Sequence, residues 1–179
     1  MGVNDRRRFQ AFADFIHQTY PHVHKIADVA GGRGGVSFHL YQLGYAATII
    51  DKRDAHLPGQ MQRKLRKQSV EQGRLVEIPR VVERVQQVDL RSFDLIVALH
   101  PDEATEHVIR AAIEHGKDFA VVPCCVFPMD GVKRNKEEWK EYLISLSPDI
   151  MTTSLPIQGD NVVLYRSSHT GSRASDTVQ

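Results

Sequence analysis

Cysteine is nearly absent from this chain of 179 residues: there are two, and they are neighbours, Cys124 and Cys125. One adjacent pair cannot form a disulfide framework, because closing it needs a strained ring. A reducing, cytoplasmic setting is the expectation. Net charge is nearly absent too: 23 Lys and Arg against 22 Asp and Glu leave +1. That excludes a wholly basic nucleic-acid coat and an acidic disordered chain. No apolar run reaches the ~18 residues of a membrane span. The start of the chain, MGVNDRRRF, has no apolar secretion core, so neither membrane insertion nor export is expected. No internal repeat is found. The remainder is ordinary: 41% hydrophobic and 25% charged residues, at a length that suits one domain with a core needing no staples.

Residues 5–20 carry Phe9, Phe12, Phe15 and Ile16 at helical spacing, and Pro21 closes the segment. Short apolar runs at 25–30 and 46–51 read as buried strands. Between them, 36–43 reads as a helix ended by Gly44. A polar, basic stretch at 55–72 is helical from about Met61, and 74–78 is a third strand stopped by Pro79. Strands follow at 93–99 and 118–124, with a helix over 102–115 whose first turn holds Asp102 and Glu103. A helix over 135–146 precedes two strands, 150–155 and 162–165, that flank Gly159-Asp160-Asn161 as an antiparallel hairpin. Alternating strands and helices predict an α/β fold: a doubly wound, seven-stranded, mostly parallel sheet with a C-terminal antiparallel hairpin and helices on both faces. One domain is expected over 1–166, with an N-terminal helical segment 1–23 and a core 24–166. The Ser/Thr/Gly-rich 167–179 is expected to be disordered.

The segment from Ile26 to Ser37 joins the first strand to a helix through Gly31, Gly32, Gly34 and Gly35. Glycines there admit positive φ and close approach of a ligand, and a helix N-terminus follows. Gly32-x-Gly34 is followed by Ser37, not glycine, at the third position of a dinucleotide loop. Asp28 precedes the glycines. Asp51 ends the second strand about 20 residues on, where an acid can accept bonds from ribose hydroxyls.

Asp28 followed by Ala30-x-Gly32-x-Gly34 resembles motif I of the class I S-adenosylmethionine (SAM) methyltransferases, with Ala30 in place of the first glycine. Leu99-His100 after the fourth strand and Pro123-Cys124-Cys125 after the fifth are similar to a group with a Pro-Cys-Cys motif that includes tRNA 2′-O-methyltransferases. The final hairpin is also similar, and together these features cover roughly residues 24–166. The usual LHxCGD reads Leu99-His100-Pro101-Asp102-Glu103 here. The resemblance implies SAM as cofactor, held by Asp28, Ala30, Gly31, Gly32, Gly34, Asp51, Lys52, Asp89 and Leu99. It also implies catalysis by His100 and Cys124, with Pro123 and Cys125 at the substrate.

His100 is a base or a substrate positioner, set against a structural histidine holding a loop. Cys124 and Cys125 are two small buried residues, or pocket-lining thiols, or a nucleophile. His22-x-His24 and the Glu103/His107 pair lack further ligands at a diagnostic spacing, so no metal is expected. Segment 52–80 holds eight Lys/Arg (Arg63, Lys64, Arg66 and Lys67 among them) against three acids, a net +5, and Arg6, Arg7 and Arg8 add a second patch. Such a face suits the phosphate backbone of RNA, or is an ordinary solvated helix; no aromatics interleave it. The expected activity is SAM-dependent methyl transfer to a macromolecule, RNA first. Specificity would come from rim loops, a protein partner or a second copy. The alternatives are a SAM- or RNA-binding module without turnover, and an NAD(P)-dependent oxidoreductase.

Overall fold

The computed structural model describes residues 7–168. Phe12, Ala13 and Ile16 recur at helical spacing and bury one side of α1 (Arg8–Thr19). The helix ends at the buried Tyr20, whose hydroxyl donates to the carbonyls of Phe119 and Arg166 at 2.8 and 2.9 Å, and Pro21 follows. Of the N-terminal arginines, Arg6 lies outside the described residues, and Arg8 stacks its guanidinium over the Phe9 ring.

The chain then runs β1 (Lys25–Val29), α2 (Gly35–Gln42), β2 (Ala46–Ile50), α3 (Gly59–Gln72), β3 (Arg80–Val81), β4 (Leu95–Leu99), α4 (Thr105–Glu114), β5 (Asp118–Val122), α5 (Lys136–Ser145), β6 (Met151–Ser154) and β7 (Val162–Arg166). These strands form one seven-stranded sheet, ordered β3-β2-β1-β4-β5-β7-β6. All neighbours pair in parallel except β7, which is antiparallel to β5 and β6. The β1, β4 and β5 strands are buried almost throughout, and β4 is apolar along its whole length, because helices cover both faces of a parallel sheet. One core, around Phe12, Ile16, Leu40 and Val97, packs α1 and α2 on one face. The other, around Ile96, Ile109, Phe119 and Trp139, packs α4 and α5 on the opposite face. The strand order reverses between β1 and β4, which opens a crevice at their carboxyl ends.

Three local expectations are corrected. The third strand is not 74–78 but Arg80–Val81. Proline lacks an N–H, yet the Pro79 carbonyl still accepts from Ile49 N–H, so pairing with β2 starts there. Val76 instead packs with Phe38 and Leu65 as a small third core. The helix expected from Asp102 opens as a 3₁₀ turn, Asp102–Ala104, because Asp102 takes φ 48°. Strand β5 ends at Val122, one residue before Pro123. Of 167–179, Ser167 is buried and Ser168 donates to Asp118 at 2.9 Å; residues 169–179 lie outside the described residues.

Candidate functional site

The loop after β1 is organised from beneath by Asp28. Its carboxylate is fully buried, and Oδ2 accepts from Ser37 N–H at 3.1 Å and the Ser37 hydroxyl at 2.7 Å. That bond takes the place a third loop glycine would hold. Oδ1 is buried with no partner among the described residues. Burial pushes this carboxyl up to about 6, against the two Ser37 bonds that pull it down. A Cβ on Gly31 would lie 2.7 Å from Asp28 Oδ2, so only glycine fits above it. Gly34, at φ 81°, starts α2 from the left-handed region, with Ile49 where a side chain would go. Ala30 also takes a positive φ, 53°, a cost of about 1 kcal/mol that glycine would avoid.

Asp51 ends β2 and is 4% exposed. Its Oδ2 accepts from Gly32 N–H at 2.8 Å, tying the loop to the second strand. The Arg53 guanidinium and backbone N–H occupy the rest of the carboxylate. Burial alone would raise this acid, but the Arg53 and Gly32 bonds outweigh it and hold it below the usual range. Arg80 clasps the two loops, donating to the carbonyls of Gly32 at 2.7 Å and Arg53 at 3.3 Å.

The ends of β4 and β5 are built differently. His100 leaves β4 at φ 54° and Asp102 follows at φ 48°, two strained residues around Pro101. The His100 backbone N–H donates to Val122 at the end of β5. Its Nε2 lies 2.9 Å from the Asp160 carbonyl in the hairpin turn, and a carbonyl only accepts, so Nε2 carries the proton. In the neutral ring Nδ1 is then the acceptor. The Cys124 thiol donates to Asp102 Oδ1 at 3.1 Å. Burial pushes that thiol up, and the neighbouring carboxylate pushes it further, so it is a poor thiolate nucleophile at neutral pH.

A cavity of about 560 Å³ lies over these strand ends. Ala30, Asp51, Lys52, His100 and Cys125, all expected site residues, line it. Lys52 and Glu103, also lining it, form an ion pair that bridges the end of β1, which lies between their strands. Asp28, Gly31, Gly32 and Gly34 shape the wall from behind without lining it. Leu99 packs into the α1-side core. Asp89 does not reach the cavity: it caps the turn Leu90–Ser92 and pairs with Arg91 at 2.8 Å. Pro123 and Cys124 line a smaller neighbouring cavity of about 130 Å³ with Lys136 and Trp139. Arg63, Lys64, Arg66 and Lys67 lie exposed on α3, which buries only Leu65, and none of the four lines the cavity.

The residues not expected from sequence are Arg53, Glu83 to Gln86, His107 and Phe127 in the cavity wall. Arg53, Glu83 to Gln86 and Phe127 arrive from connections outside the regular helices and strands, where no local pattern marks them, while His107 projects from α4. Glu106 is another. It is fully buried, accepting from Arg110 Nε and the Tyr142 hydroxyl at 2.7 Å each, and from Met129 N–H at 2.8 Å. Burial would raise its carboxyl, but those three donors outweigh it and hold it low. It thereby fixes the loop after β5 that carries Phe127 into the cavity.

The sequence matches a family model described as a methyltransferase domain over residues 6–131. No curated protein matches it. Among solved structures, a ribosomal protein L11 methylase from Lactobacillus delbrueckii subsp. bulgaricus superposes with TM-score 0.60 at 16% identity, over 93% of this chain and 81% of that one. The magnesium protoporphyrin IX methyltransferase of Synechocystis PCC 6803, solved with SAM, gives 0.58 at 16%, over 90% and 79%. A Pyrococcus abyssi tRNA (uracil-54, C5)-methyltransferase with S-adenosyl-L-homocysteine gives 0.51 at 14%, over 87% and 37%. These likenesses bear on the fold.

Proposed function

We propose, from the premise that this chain belongs to the methyltransferase-domain family matched over residues 6–131, that it binds SAM in the large cavity and methylates RNA. Asp51 carries this reading: a nearly buried carboxylate at the end of β2, lining the cavity and bonded to the glycine loop. An acid so placed accepts from both hydroxyls of a ribose. The rest of the cavity fits the group. Its volume of about 560 Å³ suits a nucleoside-sized ligand, and Val29, Ile50 and Val85 give it apolar walls. The unpartnered Asp28 Oδ1 behind the loop favours a cation in front of it, and SAM carries net positive charge. Bound there, SAM supplies an electrophilic methyl on a sulfonium.

The chain's own task is to hold the acceptor in line and keep water out. His100, with Nδ1 as acceptor, takes the proton from an acceptor hydroxyl at the cavity edge. Arg53 turns away from Asp51 to free its oxygens; it is 67% exposed and can do so cheaply. The exposed Arg63, Lys64, Arg66 and Lys67 give α3 a cationic face that draws a phosphate backbone toward the site. The superposed enzymes act on a ribosomal protein, a porphyrin and a tRNA, so the preference for RNA rests on this cationic face of α3.

Calorimetry with SAM tests the first half; no heat at millimolar SAM overturns it. Transfer of tritiated methyl to total RNA, and none to protein, tests the second. Heat of binding without transferred label would instead identify a SAM-binding module without turnover.

A further inference from the structure

We propose that Asp102, Cys124 and Cys125 form a binding site for a thiophilic divalent cation, zinc first, on the rim of the large cavity. One carboxylate oxygen and the two sulfurs all lie within 4.8 Å of one another. Cys124 Sγ and Asp102 Oδ1 are already 3.1 Å apart. A tetrahedral zinc with bonds of about 2.0–2.3 Å needs its donors less than about 4 Å apart, so small side-chain adjustments complete the set. The three residues come from two chain segments, the exit of β4 and the exit of β5, which parallel pairing sets side by side. Asp102 sits at φ 48°, in the left-handed region that Asp visits more readily than most non-glycine residues, and from there its carboxylate meets the Cys124 thiol.

The donor chemistry selects the ion. Two thiols and one carboxylate suit zinc, whereas magnesium and calcium take oxygen ligands only. Three protein ligands leave a fourth position open, the pattern of reactive zinc sites, not closed structural ones. Asp102 and Cys125 both line the large cavity, so the ion borders the space where the acceptor is expected. Without the ion, the Cys124 proton closes the cluster through its bond to Asp102. Binding replaces thiol protons with metal and releases them to solvent. The site stands on this geometry alone and is independent of SAM binding.

The test uses the full chain, stripped with chelator and kept under a phosphine reductant. Zinc is titrated in competition with a chromophoric chelator, and cobalt(II) is titrated as a spectroscopic stand-in. The expected result is one ion per chain and a thiolate-to-cobalt charge-transfer band. Cys124→Ser and Cys125→Ser should each roughly halve that band and weaken zinc at least about tenfold. Asp102→Asn should weaken zinc by a similar factor while leaving the band. Zinc should also slow alkylation of both thiols in the unaltered chain, a readout that needs no variant to fold. No stoichiometric zinc, no charge-transfer band, unslowed alkylation, or affinity unchanged in folded variants would each overturn the site. SAM calorimetry on the stripped chain is a separate readout, so failure of the metal site and failure of the cofactor reading are distinguishable.

Discussion

The ends of β1 and β2 and the ends of β4 and β5 wall the same cavity by different means. On the first side Asp28, the glycine loop, Ser37 and Asp51 lie close in sequence, and their bonds to one another stay within that segment, with Arg80 on β3 as a distant clasp. On the second side His100 reaches Asp160, Cys124 reaches Asp102, and Glu106 reaches Met129 and Tyr142. These contacts close across tens of residues, and two of the partners sit at strained φ. The first side is a preformed cradle made by local geometry. The second is assembled only when the sheet, α5 and the hairpin have docked. Cofactor binding should therefore tolerate damage to the second side, while acceptor chemistry should not.

The sharpest break comes from His100→Ala, which removes the proposed base from the second side. It should lower turnover about 10²–10⁴-fold with SAM affinity nearly unchanged, as steady-state rates and calorimetry would show. Glu106→Ala strips three donors of their buried acceptor and should cost about 3–5 kcal/mol, read from urea unfolding. Hydrogen exchange should then rise first around residues 126–134. Because the folded Glu106 is held low, its contribution is full above its ordinary 4.5 and lost as pH falls through the folded value.

Asp28 has the opposite sign. Its folded value, about 6, lies above the ordinary 3.8, so its contribution is full below 3.8 and lost as pH rises through about 6. Asp28→Asn should flatten the stability profile between those values, a change on the order of 2–3 kcal/mol in denaturation curves taken across the window. Asp51→Ala should weaken SAM about 10–100-fold by removing charged bonds to the ribose, leaving the β4 and β5 side intact. If affinity is unchanged, the contrast between the two sides fails. The smallest effect is Ala30→Gly, which relieves the positive φ and should stabilise by at most about 1 kcal/mol in thermal melts.

Much of the first side was legible in sequence. Asp28, Ala30, the glycines and Asp51 occupy a contiguous strand-loop-helix-strand pattern, and a local pattern fixes local geometry. The same holds for β4, whose apolar run admits no other reading in a covered parallel sheet. Asp89 shows where this stops. An acid near the start of a strand looks the same whether it faces a cofactor or caps its own turn beside Arg91. The 74–78 strand failed for a similar reason: Val76 was claimed by Phe38 and Leu65, a tertiary contact that propensity does not carry. His22-x-His24 and the Glu103/His107 pair have regular spacing but no further ligands, whereas the donor cluster falls at 102, 124 and 125, a spacing without a signature.

By itself, then, the amino-acid order determined the alternation of elements, the covered parallel sheet with its antiparallel end, and the glycine cradle with its acid. These follow from hydrophobic period, glycine stereochemistry and contacts inside one contiguous strand-loop-helix-strand segment. Only the tertiary structure decided which way His100 presents its ring, that Asp102 meets Cys124, and that Glu106 holds the loop bearing Phe127. Those outcomes depend on pairing β4 with β5 and docking the hairpin, contacts between residues far apart in the chain.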